Sequence, residues 1–221
     1  MKPSDKLVKV FLGRFQPLHN GHLKALRAAI DTSSHVVIVI GSAAGPSTPK
    51  NPWSWEERKT MIAGALNPAE RAKVTITAQV DMPGEDSKWV KAVKHQVRAI
   101  AARVLGPGTK RYTLVGCHKG ADTYYLSLYR GWNRDLLPQS EALNATDIRR
   151  AFFNRETWYQ NIHSLVPVWA DFVPGSSFAY MMSMNPELYT TLAQAHRLMV
   201  MESVSSDEAM LITLKNRLGT K

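Results

Sequence analysis

Two rhythms of apolar and polar residues alternate along the chain as far as Pro138. Leu7 to Leu12 and His35 to Gly41 are short, nearly unbroken apolar runs, the second rich in β-branched residues. Such runs suit parallel strands covered on both faces. Between them Leu23, Leu26, Ala29 and Ile30 recur at helical spacing and predict a helix over Leu23–Ala29. Ser54, with Glu57 three residues on, forms a capping box that opens a second helix, Trp55–Leu66. Lys73 to Gln79 alternates Val74, Ile76 and Ala78 with polar residues and predicts a third strand. After a loop over Val80–Ser87 comes a long amphipathic helix with an expected core face of Trp89, Val93, Val97, Ile100 and Val104, stopped by Gly106-Pro107-Gly108. Arg111–Gly116 is the expected fourth strand, Thr123–Tyr129 a short helix, and Trp132–Leu136 a fifth strand.

Strands alternating with helices imply right-handed βαβ units and an α/β fold, a doubly wound parallel sheet of about five strands. Ligands bind such sheets beyond the carboxyl ends of the strands, where the strand order reverses. The loop over residues 13–22 and the one over 116–121 both belong at that edge. Asn144 to Arg150 opens a further helix, and the remainder reads as helical pieces divided by Pro167, Pro174 and Pro186. The expected organisation is one α/β unit over residues 1–160 and a helical C-terminal appendage over 161–221, packed on it. The tail from Ser203 carries no motif that points to a role.

Composition narrows the class. With 221 residues, 44% of them hydrophobic, the chain can bury one sizeable core. No apolar run reaches the ~20 residues of a membrane span, and the charged Met1–Lys9 leads straight into a strand, so neither a membrane anchor nor a signal peptide is expected. The single cysteine, Cys117, excludes an internal disulfide framework and suits a reducing, cytoplasmic compartment. A formal charge of +10 favours anionic partners. Lys88 to Arg111 holds Lys88, Lys91, Lys94, Arg98, Arg103, Lys110 and Arg111 without one acid, and four of these fall along one helix face. That face reads as solvated surface first, as an electrostatic funnel second and as a nucleic-acid site third.

The candidate chemistry centres on Gly13-Arg14-Phe15-Gln16-Pro17-Leu18-His19-Asn20-Gly21-His22. It lies between a strand and a helix, the usual place for phosphate binding. Gly21 admits close approach of a ligand to the backbone, and the helix start aims free N–H groups at an anion. His19 and His22, three apart, can both donate to phosphate oxygens whose charge grows during reaction. The plainer reading makes His19 a buried residue and His22 an ordinary first-turn residue. Cys117 and His118 match no zinc spacing, so no protein metal site is expected.

This decapeptide resembles the HxGH signature of the nucleotidylyltransferase superfamily, and with Gly-Arg-Phe-Gln-Pro in front it is similar to the archaeal-type nicotinamide mononucleotide adenylyltransferases. Four further stretches resemble the same group in the same order. Asn51-Pro52-Trp53-Ser54-Trp55-Glu56-Glu57-Arg58 is similar to its Asn-Pro-Phe/Trp…Glu-Arg segment; Arg58 either reaches a phosphate or pairs at the surface with Glu56 or Asp81. Asp86-Ser87-Lys88-Trp89 resembles the place where those enzymes present a ring to the nicotinamide, although Trp89 equally fits its helix core. Val115-Gly116-Cys117-His118-Lys119-Gly120 through Tyr124-Tyr125-Leu126 resembles the adenine-side loop, with Gly116 leaving room for a flat group and Lys119 facing phosphate or solvent. Leu143 to Arg149 resembles the second superfamily signature, Ile-Ser-x-Thr-x-Ile-Arg, with Thr146 and Arg149 in register and Asn144 in place of the usual Ser. The matches run from about residue 8 to about residue 160. The Nudix domain of bifunctional relatives has no counterpart in this sequence.

The resemblance implies a Rossmann-like enzyme that transfers AMP from ATP to nicotinamide mononucleotide, giving NAD and pyrophosphate. His19, His22 and Arg149 are then the catalytic set. Gly13, Arg14, Phe15, Gly21, Gly116, Lys119, Asn144 and Thr146 bind ATP, and Asn51, Trp53, Arg58, Asp86 and Trp89 bind the mononucleotide. Mg²⁺ is expected as cofactor, held through phosphate oxygens. The expected assembly is a homo-oligomer, with neither membrane nor nucleic acid as partner. Rival readings are an adenylyl- or cytidylyltransferase for nicotinate mononucleotide, phosphopantetheine or a flavin, and a catalytically silent basic protein that binds nucleic acid.

Overall fold

Five parallel strands form one sheet in the order β3-β2-β1-β4-β5. This computed structural model describes residues 6–108, 110–117, 127–137, 144–154, 168–202 and 204–218. In chain order the elements are β1 (Lys6–Gly13), α1 (Asn20–Asp31), β2 (His35–Ile40), α2 (Trp55–Ala65), α3 (Pro68–Ala72), β3 (Val74–Ala78), α4 (Asp86–Leu105), β4 (Lys110–Cys117), β5 (Asn133–Leu137), α5 (Ala145–Phe153), a 3-10 turn (Val168–Phe172), α6 (Gly175–Met182), α7 (Pro186–Met201) and α8 (Ser206–Leu218). The chain winds from β1 outward to β3 and then returns to the other side of β1 with β4. The reversal point therefore lies between the carboxyl ends of β1 and β4.

Period-two alternation in the central strands divides the core into two layers. Val8, Val10, Leu12, Val37, Val39 and Leu114 pack under α4 with Val90, Val93, Val97, Ile100 and Ala101. Phe11, Val36, Ile38, Ile40 and Val115 pack on the opposite face against Leu23, Leu26 and Ile30 of α1 and Ile62 of α2. β2 is buried at every position, which is why it reads as an unbroken apolar run. Lys9 is the buried polar residue of β1: its ammonium donates to Thr32 Oγ1 at 2.8 Å and pairs with Asp135 of β5 at 2.6 Å.

The core face of α4 is turned relative to expectation. Val90 and Ala101 point inward, Val104 is 43% exposed and Trp89 is only half-buried. The heptad through Val93, Val97 and Ile100 holds, and the helix presents Val90 instead of Trp89 as its first core residue. α1 starts three residues earlier than its apolar spacing shows, because Asn20-Gly21-His22 are polar first-turn residues. α3 carries no apolar stripe; Asn67 and Glu70 close a capping box around Pro68 and define it instead. Of the short helix expected over Thr123–Tyr129, residues 123–126 lie outside the described residues.

The C-terminal helices complete a third cluster rather than standing apart. Trp53 and Met61 from the α2 region meet Ile148, Phe152 and Phe153 of α5, Met181 of α6 and Leu192 and Ala193 of α7. α6 and α2 approach closely at Gly64, where an added Cβ would lie 2.8 Å from Ser176 Cβ. Ser176 Oγ donates to Met61 O at 2.7 Å across the same contact.

Candidate functional site

The carboxyl edge of β1 is built by the loop over residues 13–19 and the first turn of α1. His19 is the N-cap of α1 and His22 its third residue, and the two cap each other. His22 N donates to His19 Nδ1 and His19 N donates to His22 Nδ1, both at 3.4 Å. The rings stack at 3.6 Å between centroids and 28° between planes. Each Nδ1 accepts a hydrogen bond, which places the proton of a neutral ring on Nε2. The backbone thus selects the tautomer that can donate to a phosphate. Phe15 holds the pair from below, with its ring 5.1 Å from that of His22 and edge-on to Phe11.

Gly13 is needed for that arrangement. A Cβ there would meet the Phe15 ring at 2.9 Å, and Phe15 itself adopts φ of 52° to turn under the loop. Gln16 is buried and acts as a peptide mimic: its amide donates to Trp53 O at 2.8 Å and accepts from Trp53 N at 3.1 Å. The sequence motif contains Gln16, but nothing in its pattern marks this partner 37 residues away.

The second helix start at this edge is α5. Asn144 caps it, accepting from the N–H groups of Thr146 and Asp147. Arg149 ties α5 to the first loop, donating to Gln16 O at 2.7 Å, Ala145 O at 3.1 Å and Thr146 Oγ1 at 3.2 Å. Burial, reinforced by the charge of Arg14, pushes the Arg149 guanidinium down to about 10, so it stays charged at neutral pH. Arg14 is exposed on the loop and Thr146 on the first turn of α5. Together they bring Arg14, His19, His22, Thr146 and Arg149 to one edge of the sheet, between two helix N-termini that favour anions. Gly116 is buried in β4, one strand from Gly13 across the reversal point. Lys119 lies outside the described residues.

Two residues expected to contact the mononucleotide lie inside the fold. Arg58 does not form the surface ion pair. It is 1% exposed and spends its guanidinium on four carbonyls: Ser54 O, Arg14 O, Gly41 O and Ser42 O, at 2.7–3.0 Å. Burial first, then the Arg14 charge, pushes it down to about 10. It stitches the loops after β1 and β2 together. The Trp53 indole is likewise 2% exposed, packed 5.7 Å from Phe152 inside the third cluster, and offers no face to a ligand. Asn51 closes a turn with Thr48, and its buried Oδ1 has no hydrogen-bond partner. Asp86 is exposed on the first turn of α4, and Trp89 one turn later meets the Tyr129 ring edge-on at 6.4 Å. Among the described residues no group of three His, Cys, Asp or Glu side chains converges as a metal site.

A Rossmann-like parallel sheet with reciprocal histidines and two helix starts at its reversal point defines an enzyme of the nucleotidyltransferase class. The chain belongs to the cytidylyltransferase-like family, whose sequence model matches residues 10–151. It is 35% identical over 145 residues to the nicotinamide/nicotinic acid mononucleotide adenylyltransferase of Acinetobacter baylyi, covering 65% of this chain and 74% of that one. It is 29% identical over 180 residues to the nicotinamide-nucleotide adenylyltransferase of Thermococcus kodakarensis, covering 80% and 89%. Among solved structures it resembles a bifunctional NMN adenylyltransferase/ADP ribose pyrophosphatase from Francisella tularensis, complexed with AMP and a manganese ion, with a TM-score of 0.72 and 25% identity. That likeness covers 88% of this chain and 54% of the other, so this chain spans about half the length of the bifunctional protein. No helix among the described residues is long and apolar enough to cross a membrane.

Proposed function

We propose that the protein transfers AMP from ATP to nicotinamide mononucleotide, forming NAD and pyrophosphate. The observation that carries this reading is the reciprocal histidine cap, which makes both Nδ1 atoms acceptors and so puts the proton of each neutral ring on Nε2 at a helix start. An oxygen of the mononucleotide's 5′-phosphate bonds to the α-phosphorus of ATP while the bond from that phosphorus to the bridging oxygen breaks. Pyrophosphate leaves with the electron pair. The nucleophile is already an anion, so no general base is needed, and catalysis rests on alignment and charge neutralisation.

His19 and His22 donate to the oxygens around the α- and β-phosphorus. Arg14, Thr146, the N–H groups of the first turn of α5 and the remaining N–H groups of Arg149 receive the triphosphate tail. ATP enters as its Mg²⁺ complex, the ion held by phosphate oxygens and water, in keeping with a site whose charged groups are cationic. Asn51 offers its unpartnered Oδ1 to the mononucleotide, and Trp89 offers the exposed part of its ring. Asp86 gives the α4 start a negative charge, which suits a cationic nicotinamide amide better than an acidic ring. Relatives named for both mononucleotides make the comparison necessary.

The test is NAD and deamido-NAD formation assayed side by side from the two mononucleotides with ATP and Mg²⁺. The expected result is stoichiometric pyrophosphate with kcat/KM higher for the amide. Pyrophosphate release with neither mononucleotide, but with phosphopantetheine or a flavin phosphate, overturns the substrate assignment.

A further inference from the structure

Positive charge that the proposed reaction does not use gathers on one flank of the molecule. α4 carries Lys91 and Arg98 on its exposed side, about 10 Å apart along the axis. Lys94, between them, turns inward: its ammonium donates to Arg130 O at 2.8 Å and lies 5.9 and 5.7 Å from the Tyr129 and Trp132 ring centroids. That contact draws the turn bearing Arg130 against α4. β5 then runs along the sheet edge, with Arg134 in register with Leu114, a residue of the core layer under α4. Arg134 therefore stands on the α4 face of the edge strand. Asp135 stands on the other face, where it pairs with Lys9. Lys91, Arg98, Arg130 and Arg134 are all exposed, and none has an ion pair among the described residues.

Aromatic rings line the space between α4 and β5. Tyr112 stacks on Trp132 at 5.2 Å and 18°, and Trp132 on Tyr129 at 5.2 Å and 30°. Trp132 is buried, whereas Tyr112 is half-buried at the end of the stack. Arg98 lies close enough for its charge to act on the Tyr112 phenol, against the upward push of burial. The sequence places the α4 cations on one helix. Only the fold adds Arg130 and Arg134 to them and sets a ring beside them.

We infer that this α4–β5 flank binds single-stranded nucleic acid, with phosphates along Lys91, Arg98, Arg130 and Arg134 and a base packed on Tyr112. Cations in a row beside an aromatic ring are the usual means of holding a single strand without sequence preference. A second copy of this chain, itself at +10, is the wrong electrostatic partner. An acidic peptide has charges for the arginines but no planar group for the ring.

The experiment titrates the full-length protein into a labelled oligouridylate of about a dozen nucleotides by fluorescence anisotropy, at several salt concentrations. Four phosphate contacts give a log–log salt slope of about −3. R98E/R134E is expected to weaken binding at least tenfold. The milder R98Q/R134Q is expected to weaken it several-fold and to flatten the slope by about 1.4, the share of two lost contacts. Both variants should keep wild-type adenylyl transfer, since neither residue belongs to the proposed phosphate site. Y112L should weaken binding without changing the slope. Three results overturn the inference: no binding at low salt, equal binding by wild type and both arginine variants, or binding to phosphatidylserine vesicles or polyglutamate but not to the oligonucleotide.

Discussion

Replacing Arg58 by lysine tests whether a family-like arginine works on substrate or on the fold. In the structure its guanidinium donates four hydrogen bonds to carbonyls of Ser54, Arg14, Gly41 and Ser42, and the side chain is 1% exposed. A lysine ammonium brings three donors from one point on a shorter head and cannot span carbonyls on three separate segments. At least two acceptors then lose their partner in a buried place. Hydrogen bonds to a charged group contribute about 1.5–3 kcal/mol each, so the expected loss is about 3–6 kcal/mol. For a chain of this size each kcal/mol moves the melting temperature by about 2–4 °C, giving a fall of roughly 6–24 °C by calorimetry. Activity should fall with the folded fraction, and KM for both substrates should rise together because the loops after β1 and β2 loosen together. An R58K protein that melts within about 2 °C of wild type yet has lost kcat/KM would refute this reasoning and return Arg58 to the substrate.

Four further outcomes follow from the same geometry. His22→Ala should lower kcat by ~10²–10³ with a smaller effect on KM, the range for losing one donor to the transition state, and a drop below tenfold would remove it from that role. Trp89→Ala should raise KM for the mononucleotide by roughly 5- to 150-fold while KM for ATP stays put; both rising along with a large fall in melting temperature would make Trp89 a packing residue only. Gly64→Ala should destabilise by ~1–3 kcal/mol through the 2.8 Å contact with Ser176, and Ser176→Gly in the same chain should recover most of it; no recovery in a denaturant titration would locate the strain elsewhere. Burial, helped by the charges of Arg149 and Arg150, holds the His196 imidazole below its ordinary 6.5, so the unfolded chain takes up more protons there. Stability is then full above about pH 6.5 and falls as the pH drops below it, and His196→Gln should shrink that slope; an unchanged slope in urea midpoints between pH 5.5 and 7.5 would exclude His196 as its source.

The sheet and the first loop were legible because their signals are local. β-branched runs, a capping box at Ser54 and a Gly-rich turn before a helix each declare themselves within a dozen residues. Side-chain direction was less legible where two roles fit one spacing. Trp89 and Val90 are adjacent, and only the angle at which α4 crosses the sheet decides which of them points inward. Arg58 and Trp53 sit in a stretch resembling a substrate-binding segment, but their partners, Gly41, Ser42 and Phe152, come from elsewhere in the chain. Gln16 shows the same limit from the other side: its two bonds to Trp53 depend on a loop that sequence alone does not fold. α8 falls within the appendage expected to be helical, but its own bounds were not legible because its apolar residues follow no clear stripe.

Under the proposed reaction the reciprocal cap of His19 and His22 gives one pair of side chains two employments, which would tie the ancestry of the chemistry to that of the shape. A lineage that drops either histidine weakens the start of α1, and on that reading it loses a phosphate donor at the same moment, so drift toward an inert relative would be opposed by folding as well as by activity. The tie can be cut by design. Ser at 19 and Gln at 22 restore an ordinary capping box with oxygen acceptors. The double substitution His19→Ser/His22→Gln should therefore yield a scaffold with intact helix and nucleotide cleft but without imidazole, suited to trapping both substrates unreacted side by side.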